Sequence, residues 1–205
     1  MNRDFVIKQL LRAYRSGMLS EAAFEEELTR LEHGVEPGEP TGPGFEAVGR
    51  RYNSEREAVI SFLDELHATQ MDSAVGFAKW ASVCRTKGLR TGLMIVAERK
   101  AYHARVIERR VHELGGELRA TTSEEGAKLV ELLANSEIPE IEKLSALTSL
   151  IQEPKQAIAP LLTFAAVLDS DIETKQALRL LAEDELSSAT WLHVIYAVIS
   201  GTRAA

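Results

Sequence analysis

Two tetrapeptides carry the chemistry this chain offers: Lys100-Ala-Tyr-His103 and Glu185-Leu-Ser-Ser188. Residues at i and i+3 share one face of a helix, so a carboxylate and an imidazole at that spacing can reach the same metal ion. Glu-x-x-His on two helices, with one further carboxylate from each of two others, is how helical bundles hold a pair of irons. Here each pattern keeps one ligand and replaces the other. Lysine stands at the carboxylate position before His103, and Ser188 stands at the imidazole position after Glu185.

The elements that must position these residues are helical. Beyond residue 46 strand signals are scarce and helical periodicity is nearly continuous, which predicts an all-α body. Helices are expected over 54–86, over 89–114 with a Gly115-Gly116 stop, and near 123–135 behind the cap Ser123-Glu124-Glu125. A further helix over 139–168 is expected to bend or split at Pro154 and Pro160. The last runs over 171–199 behind Asp171. Two long antiparallel pairs joined by a long crossover describe an antiparallel four-helix bundle. The second helix has a seam of Leu93, Val96, Lys100, His103, Ile107, Val111 and Leu114, and the last has Leu178, Leu181, Glu185, Ser188, Leu192, Ile195 and Ile199. Each is apolar except for two central residues three apart. A charge inside a bundle is costly unless paired or liganded, so these interruptions require a reason.

The remaining two ligands would come from the first and third long helices. The first offers Asp72, with Glu65 and His67 as weaker options; pairing Asp72 with Lys100 centres the turn near Thr86, beside the breaker Thr86-Lys87-Gly88. The third offers Glu153, on a seam through Leu150, Ala157, Leu161, Phe164 and Leu168. A second seam, through Leu147, Ile151 and Ile158, is equally apolar and excludes it.

The segment Trp80 to Gly116, with Glu98-Arg99-Lys100-Ala101-Tyr102-His103-Ala104 and Glu113-Leu114-Gly115-Gly116, resembles bacterial ferritin-like domain proteins. So does Ala182-Glu183-Asp184-Glu185-Leu186-Ser187-Ser188-Ala189-Thr190-Trp191-Leu192. The resemblance covers most of residues 55–199. It implies a ferritin-like fold and a di-iron carboxylate site with Glu and His at the positions of Lys100 and His103, and Glu and His at those of Glu185 and Ser188. Nearer the N-terminus, Leu10-Leu-Arg-Ala-Tyr-Arg-Ser-Gly-Met-Leu-Ser-Glu-Ala-Ala-Phe-Glu-Glu-Glu-Leu28 resembles the short helical oligomerisation modules called SHOCT.

A charged lysine has no lone pair for a metal and sits where a cation would bind. Lys100 is therefore expected to pair with Glu185 or Asp72, compensating carboxylates a metal would otherwise neutralise; alternatively its long stem covers apolar surface while the head escapes to solvent. Ser188 is expected to bond back within its own helix or to a neighbour. Glu98 is expected on an exposed face, unless a helix irregularity turns it inward and restores a carboxylate to that helix. The leading expectation is a non-catalytic or interaction protein with a remodelled, metal-free site and no cofactor. A second is a metal-dependent oxidoreductase, with iron or manganese held by a residual, incomplete site of His103, Glu185, Asp72 and Glu153; imidazole with carboxylates suits either metal, and zinc. A third is a small-ligand-binding bundle, with which Ala74, Gly76, Ala157 and Ala189 are compatible. The other histidines, His193 among them, are expected to be solvated.

Composition narrows the partners. A formal charge of -7, from 24 Lys and Arg against 31 Asp and Glu, leaves no basic face for nucleic acid. One cysteine, Cys84, forms no intramolecular disulfide and favours a reducing compartment. No run suits a signal peptide or a membrane span, so a cytoplasmic protein without a membrane partner is expected. Residues 34–46 carry three of the six prolines and form a Pro/Gly-rich linker between a helical-hairpin arm, 1–33, and the body, 47–205. An arm this small buries little by itself, and a homo-oligomer, a dimer first, is expected.

Overall fold

The computed structural model describes residues 44–201 and, ahead of them, Ile7, Leu11, Tyr14, Phe24, Glu25 and Leu28. The chain divides into two compact units, Met1–Pro43 and Gly44–Ala205. Within the first, all six described residues are helical, and the rings of Tyr14 and Phe24 stack with centroids 4.8 Å apart. The rest of the arm and most of the linker lie outside the described residues.

The second unit is mostly helical. A hairpin of β1 (Phe45–Ala47) and β2 (Arg50–Tyr52) precedes α1 (Glu55–Val83), α2 (Lys87–Glu113), α3 (Glu124–Ala134), α4 (Glu140–Leu150), α5 (Pro154–Val167) and α6 (Ile172–Ser200). The hairpin departs from the all-helical expectation. It pairs Phe45 with Tyr52, Glu46 with Arg51 and Ala47 with Arg50, antiparallel. Its turn places Val48 and Gly49 both at positive φ, 47° and 73°. That geometry normally selects Asn-Gly, and a β-branched residue there hides the turn from a sequence reading. The strands have a packing purpose: Ala47 is buried, with Phe45 and Tyr52 against the core beneath them.

The predicted third long helix is two. A residue before proline avoids the α conformation, so the chain leaves α4 at Ile151 and re-enters at Pro154, the first position of α5. Pro160, by contrast, is accommodated inside α5. Both pieces pack on α6, α1 pairs with α2, and α3 lies on α1. Phe62 of α1 stacks on Phe164 of α5, centroids 4.0 Å apart.

Helix C-termini expose carbonyls with no partner in their own helix. Five of them are met by cationic or imidazole side chains. Arg90 donates to Cys84 O at the end of α1 (2.6 and 2.9 Å), Arg56 Nε to Leu114 O after α2 (2.8 Å), and Lys143 to Leu133 O in α3 (2.9 Å). His193 Nε2 reaches Ile151 O after α4 (2.7 Å), and Lys175 reaches Leu168 O after α5 (2.8 Å). His193 is thus engaged at the α4–α5 break, not solvated as expected. Carboxylates of α1 hold loops in the complementary way: Glu55 accepts the amides of Asp169, Ser170 and Asp171, and Asp64 those of Arg119 and Ala120.

The core forms two apolar clusters. One joins the first half of α1, the second half of α2, α5 and the start of α6, around Leu63, Ile107, Phe164 and Leu178. The other joins the second half of α1, the first half of α2, α3, α4 and the later part of α6, around Phe77, Trp80, Leu93, Leu144 and Leu192. In the second, Gly92 lets Trp191 lie directly against the backbone of α2, since a Cβ there would fall 2.0 Å from the indole. Replacing this glycine by alanine adds about 1 kcal/mol of helix propensity but forces the partly buried indole to move, which costs about 1–3 kcal/mol. Gly92→Ala is therefore expected to lower stability in urea denaturation, and Gly92→Val to lower it further.

Candidate functional site

Between the two apolar clusters lies a polar layer, and the sequence places it there. Along α2 the buried residues Val96, Ala97, His103, Ala104 and Ile107 follow one face, with Lys100 on the same stripe. Along α6 Leu181, Ala182, Glu185, Ser188, Ala189 and Leu192 do likewise. Three-and-four spacing stacks each central pair at one level of its helix, and α1 brings buried Gln70 to that level between Leu63 and Phe77.

Glu185 is the centre. Its Oε2 accepts from Lys100 Nζ, and its Oε1 accepts from Gln70 Nε2 at 3.1 Å and lies 3.3 Å from His103 Nδ1. The other imidazole nitrogen, Nε2, lies 3.1 Å from Asp184 Oδ2. Arg99 closes the layer: its guanidinium donates to Ser188 Oγ at 2.9 Å and to Asp184 O at 3.1 Å. Ser188 Oγ donates back to Asp184 O at 2.9 Å, the back-bond expected of a helical serine. The side chains of Lys100 and Glu185 are only 11% and 9% exposed, so the lysine head does not escape to solvent.

Burial alone would push the Glu185 carboxyl above its ordinary value of 4.5. The hydrogen bond from His103, and the charge and hydrogen bond of Lys100, outweigh that and hold it at about 2. A general base for neutral pH needs a pKa near 7, so Glu185 is suited to hold charge and not to take a proton.

The expected ligands separate. His103 and Glu185 meet, but the two ring nitrogens of His103 face two different carboxylates. Asp72 accepts from Thr122 Oγ1 at 2.6 Å, beside the first turn of α3. Glu153 is exposed and is the N-cap of α5, in a reciprocal capping box with Gln156. Its place follows from Pro154, which starts a new helix and turns the preceding residue outward. Glu65 makes an exposed ion pair with Arg50, and Glu98 is exposed. Among the described residues no three His, Cys, Asp or Glu side chains are grouped so as to hold a metal ion.

Three members of the layer escape the sequence reading. Gln70 sits on an α1 seam with Leu63, Ala74, Phe77 and Ala81, a pattern that marks it more directly than Asp72. Asp184 and Arg99 are half-buried at the seam edge, where composition gives no mark.

Next to the layer is a cavity of about 210 Å³. Lys100, Glu185 and Ser188 line it with Asp72, Thr69 and Ser73 of α1 and Ser123, and Phe77, Leu133, Leu147 and Leu192 are among its apolar lining.

Removing one partner of a buried pair leaves an uncompensated charge, at a cost of about 3–5 kcal/mol, whereas replacing both by apolar side chains is often neutral or stabilising. Lys100→Met is expected to destabilise by that amount, and Lys100→Met/Glu185→Met to recover most of it in a double-mutant cycle. The depressed pKa of Glu185 adds stability that is complete above its unfolded value near 4.5 and is lost as pH falls toward 2. The loss is about 3 kcal/mol by linkage. Acid unfolding of Glu185→Gln, followed by circular dichroism, is expected to have a shallower pH dependence over that window. Compared with known proteins, the chain matches no family model, no curated protein and no solved structure.

Proposed function

We propose that the body is a ferritin-like four-helix bundle in which an internal ion pair stands where a dinuclear metal centre would be, and that the protein acts by binding and association and not by redox catalysis. The observation that carries this reading is the Lys100 ammonium on the Glu185 carboxylate, inside a layer where His103 and Gln70 take up the other oxygen. A cation already occupies the place a metal would need. The separation of Asp72 and Glu153 from that layer supports the same reading, as does the α1–α2 pair facing an α6 flanked by α4 and α5. The test is elemental analysis of protein purified without added metal, followed by titration with ferrous, manganous and zinc ions. No stoichiometric uptake is expected, and a tightly bound dinuclear centre in the native chain would overturn the reading. A mononuclear site at His103 and Glu185, the basis of an oxidoreductase, would register as one equivalent bound with displacement of Lys100. Lys100→Glu/Ser188→His restores both absent ligands and is expected to gain metal binding over the parent.

The association role is proposed for the arm, on its resemblance to short oligomerisation modules and on the division of the chain at Pro43. Sedimentation is expected to show a dimer for the full chain and a monomer for a chain beginning at Gly44; two dimers would assign association to the body, and two monomers would overturn the association role.

A further inference from the structure

The cavity beside the polar layer has a chemical direction. Lys100, Glu185 and Ser188 line it together with Thr69, Asp72, Ser73 and Ser123, and it borders the second apolar cluster at Phe77, Leu133 and Leu192. Leu150, Ile151 and Ala157, on the two sides of the break between α4 and α5, also border it. The Lys100 ammonium has three N–H groups and, among the described residues, one acceptor, Glu185 Oε2. Two of its donors are left for whatever occupies the cavity it lines.

Lys100 and Glu185 neutralise each other, and Asp72, the third charged group of the lining, has no cationic partner among the described residues. An anion would lie against the carboxylates of Glu185 and Asp72, and a cation against the Lys100 ammonium. Asp72 is moreover engaged by Thr122 and sits beside the first turn of α3, where the helix dipole offsets its charge. What fits is an uncharged molecule, apolar over most of its length, with one oxygen at the end that meets Lys100. Size sets the scale: a cavity of roughly 150 Å³ takes up benzene, so one of about 210 Å³ suits a single ring with one short polar substituent.

We infer that this cavity is a binding site for a small, neutral, largely apolar alcohol or carbonyl compound, its oxygen accepting a hydrogen bond from Lys100. The inference rests on the reading of the layer as an internally neutralised ion pair.

Four probes of one shape separate the possibilities on the full chain: benzyl alcohol, toluene, benzylamine and benzoate, measured by isothermal titration calorimetry and ligand-observed NMR. Benzyl alcohol is expected to bind saturably at one site per chain, about tenfold more tightly than each of the other three. Ala157→Phe and Ala189→Leu, which place new side chains in the cavity from two different helices, are each expected to abolish that binding; having both guards against one failing to fold. Lys100→Met/Glu185→Met is expected to reduce the preference for benzyl alcohol over toluene to less than about twofold. The proposal is overturned if no probe saturates, if a charged probe or toluene binds as tightly as benzyl alcohol, or if a folded cavity-filled variant binds unchanged. Failure of the underlying reading is distinct: it appears as stoichiometric metal in the titration above, whereas failure of this one appears as absent or unselective probe binding in metal-free protein.

Discussion

Glu185 is a full negative charge in the middle of a helical body, and the arrangement around it follows from the need to compensate it. No single neighbour suffices, because a buried carboxylate has more acceptor capacity than one donor can fill. Lys100 takes one oxygen; Gln70 and His103 share the other. These groups come from α1 and α2, so the one carboxylate ties three helices at a common height. A slip of one helical turn, about 5.4 Å, would carry Lys100 out of reach and present an apolar side chain to the charge. The apolar clusters on either side tolerate many exchanges of similar volume, whereas the layer between them does not. Its contribution is to register more than to net stability, in line with what buried ion pairs achieve elsewhere.

The helix ends obey the same electrostatics on a smaller scale. Carbonyls at five C-termini receive Arg90, Arg56, Lys143, His193 and Lys175. Two of these donors are remote from the end they cap: Arg56 opens α1 yet closes α2, and His193 lies late in α6 yet closes α4. Such caps couple local helix termination to tertiary packing. His193 matters most for the layer, because it satisfies the backbone where α4 and α5 part. Leu150, Ile151 and Ala157, on the two sides of that break, border the cavity.

Much of this arrangement is legible in the sequence where one residue decides one thing. Ser123 and Asp171 cap the helices predicted for them, Gly115 ends α2, and the paired seams of α2 and α6 locate the layer from periodicity alone. The reading falters where two residues compete for one face. Glu153 lies on a plausible seam, but Pro154 makes it a cap; the Glu-Pro-x-Gln run is the more specific signal. Asp72 has better ligand chemistry than Gln70, yet the spacing of Leu63, Ala74 and Phe77 points to the amide. The β1–β2 hairpin is hidden because its turn uses Val48 at a positive φ, where local propensity is overruled by what Phe45 and Tyr52 gain by covering the core. Asp184 and Arg99 are invisible because their roles depend on α2 and α6 lying side by side, a relation no single helix encodes.

The proposed exchange of metal for lysine also accounts for the number of carboxylates. A dinuclear centre brings several positive charges and calls for about four carboxylates in its shell. Lys100 and Arg99 bring two positive charges, and Glu185 and Asp184 match them. Any further carboxylate at this level would be uncompensated, at a cost of several kcal/mol. Asp72 and Glu153 are placed where other groups neutralise or solvate them, at the start of α3 and at the exposed cap of α5. With two single charges on the cationic side, the layer itself holds two carboxylates, and Asp72 and Glu153 make their hydrogen bonds outside it.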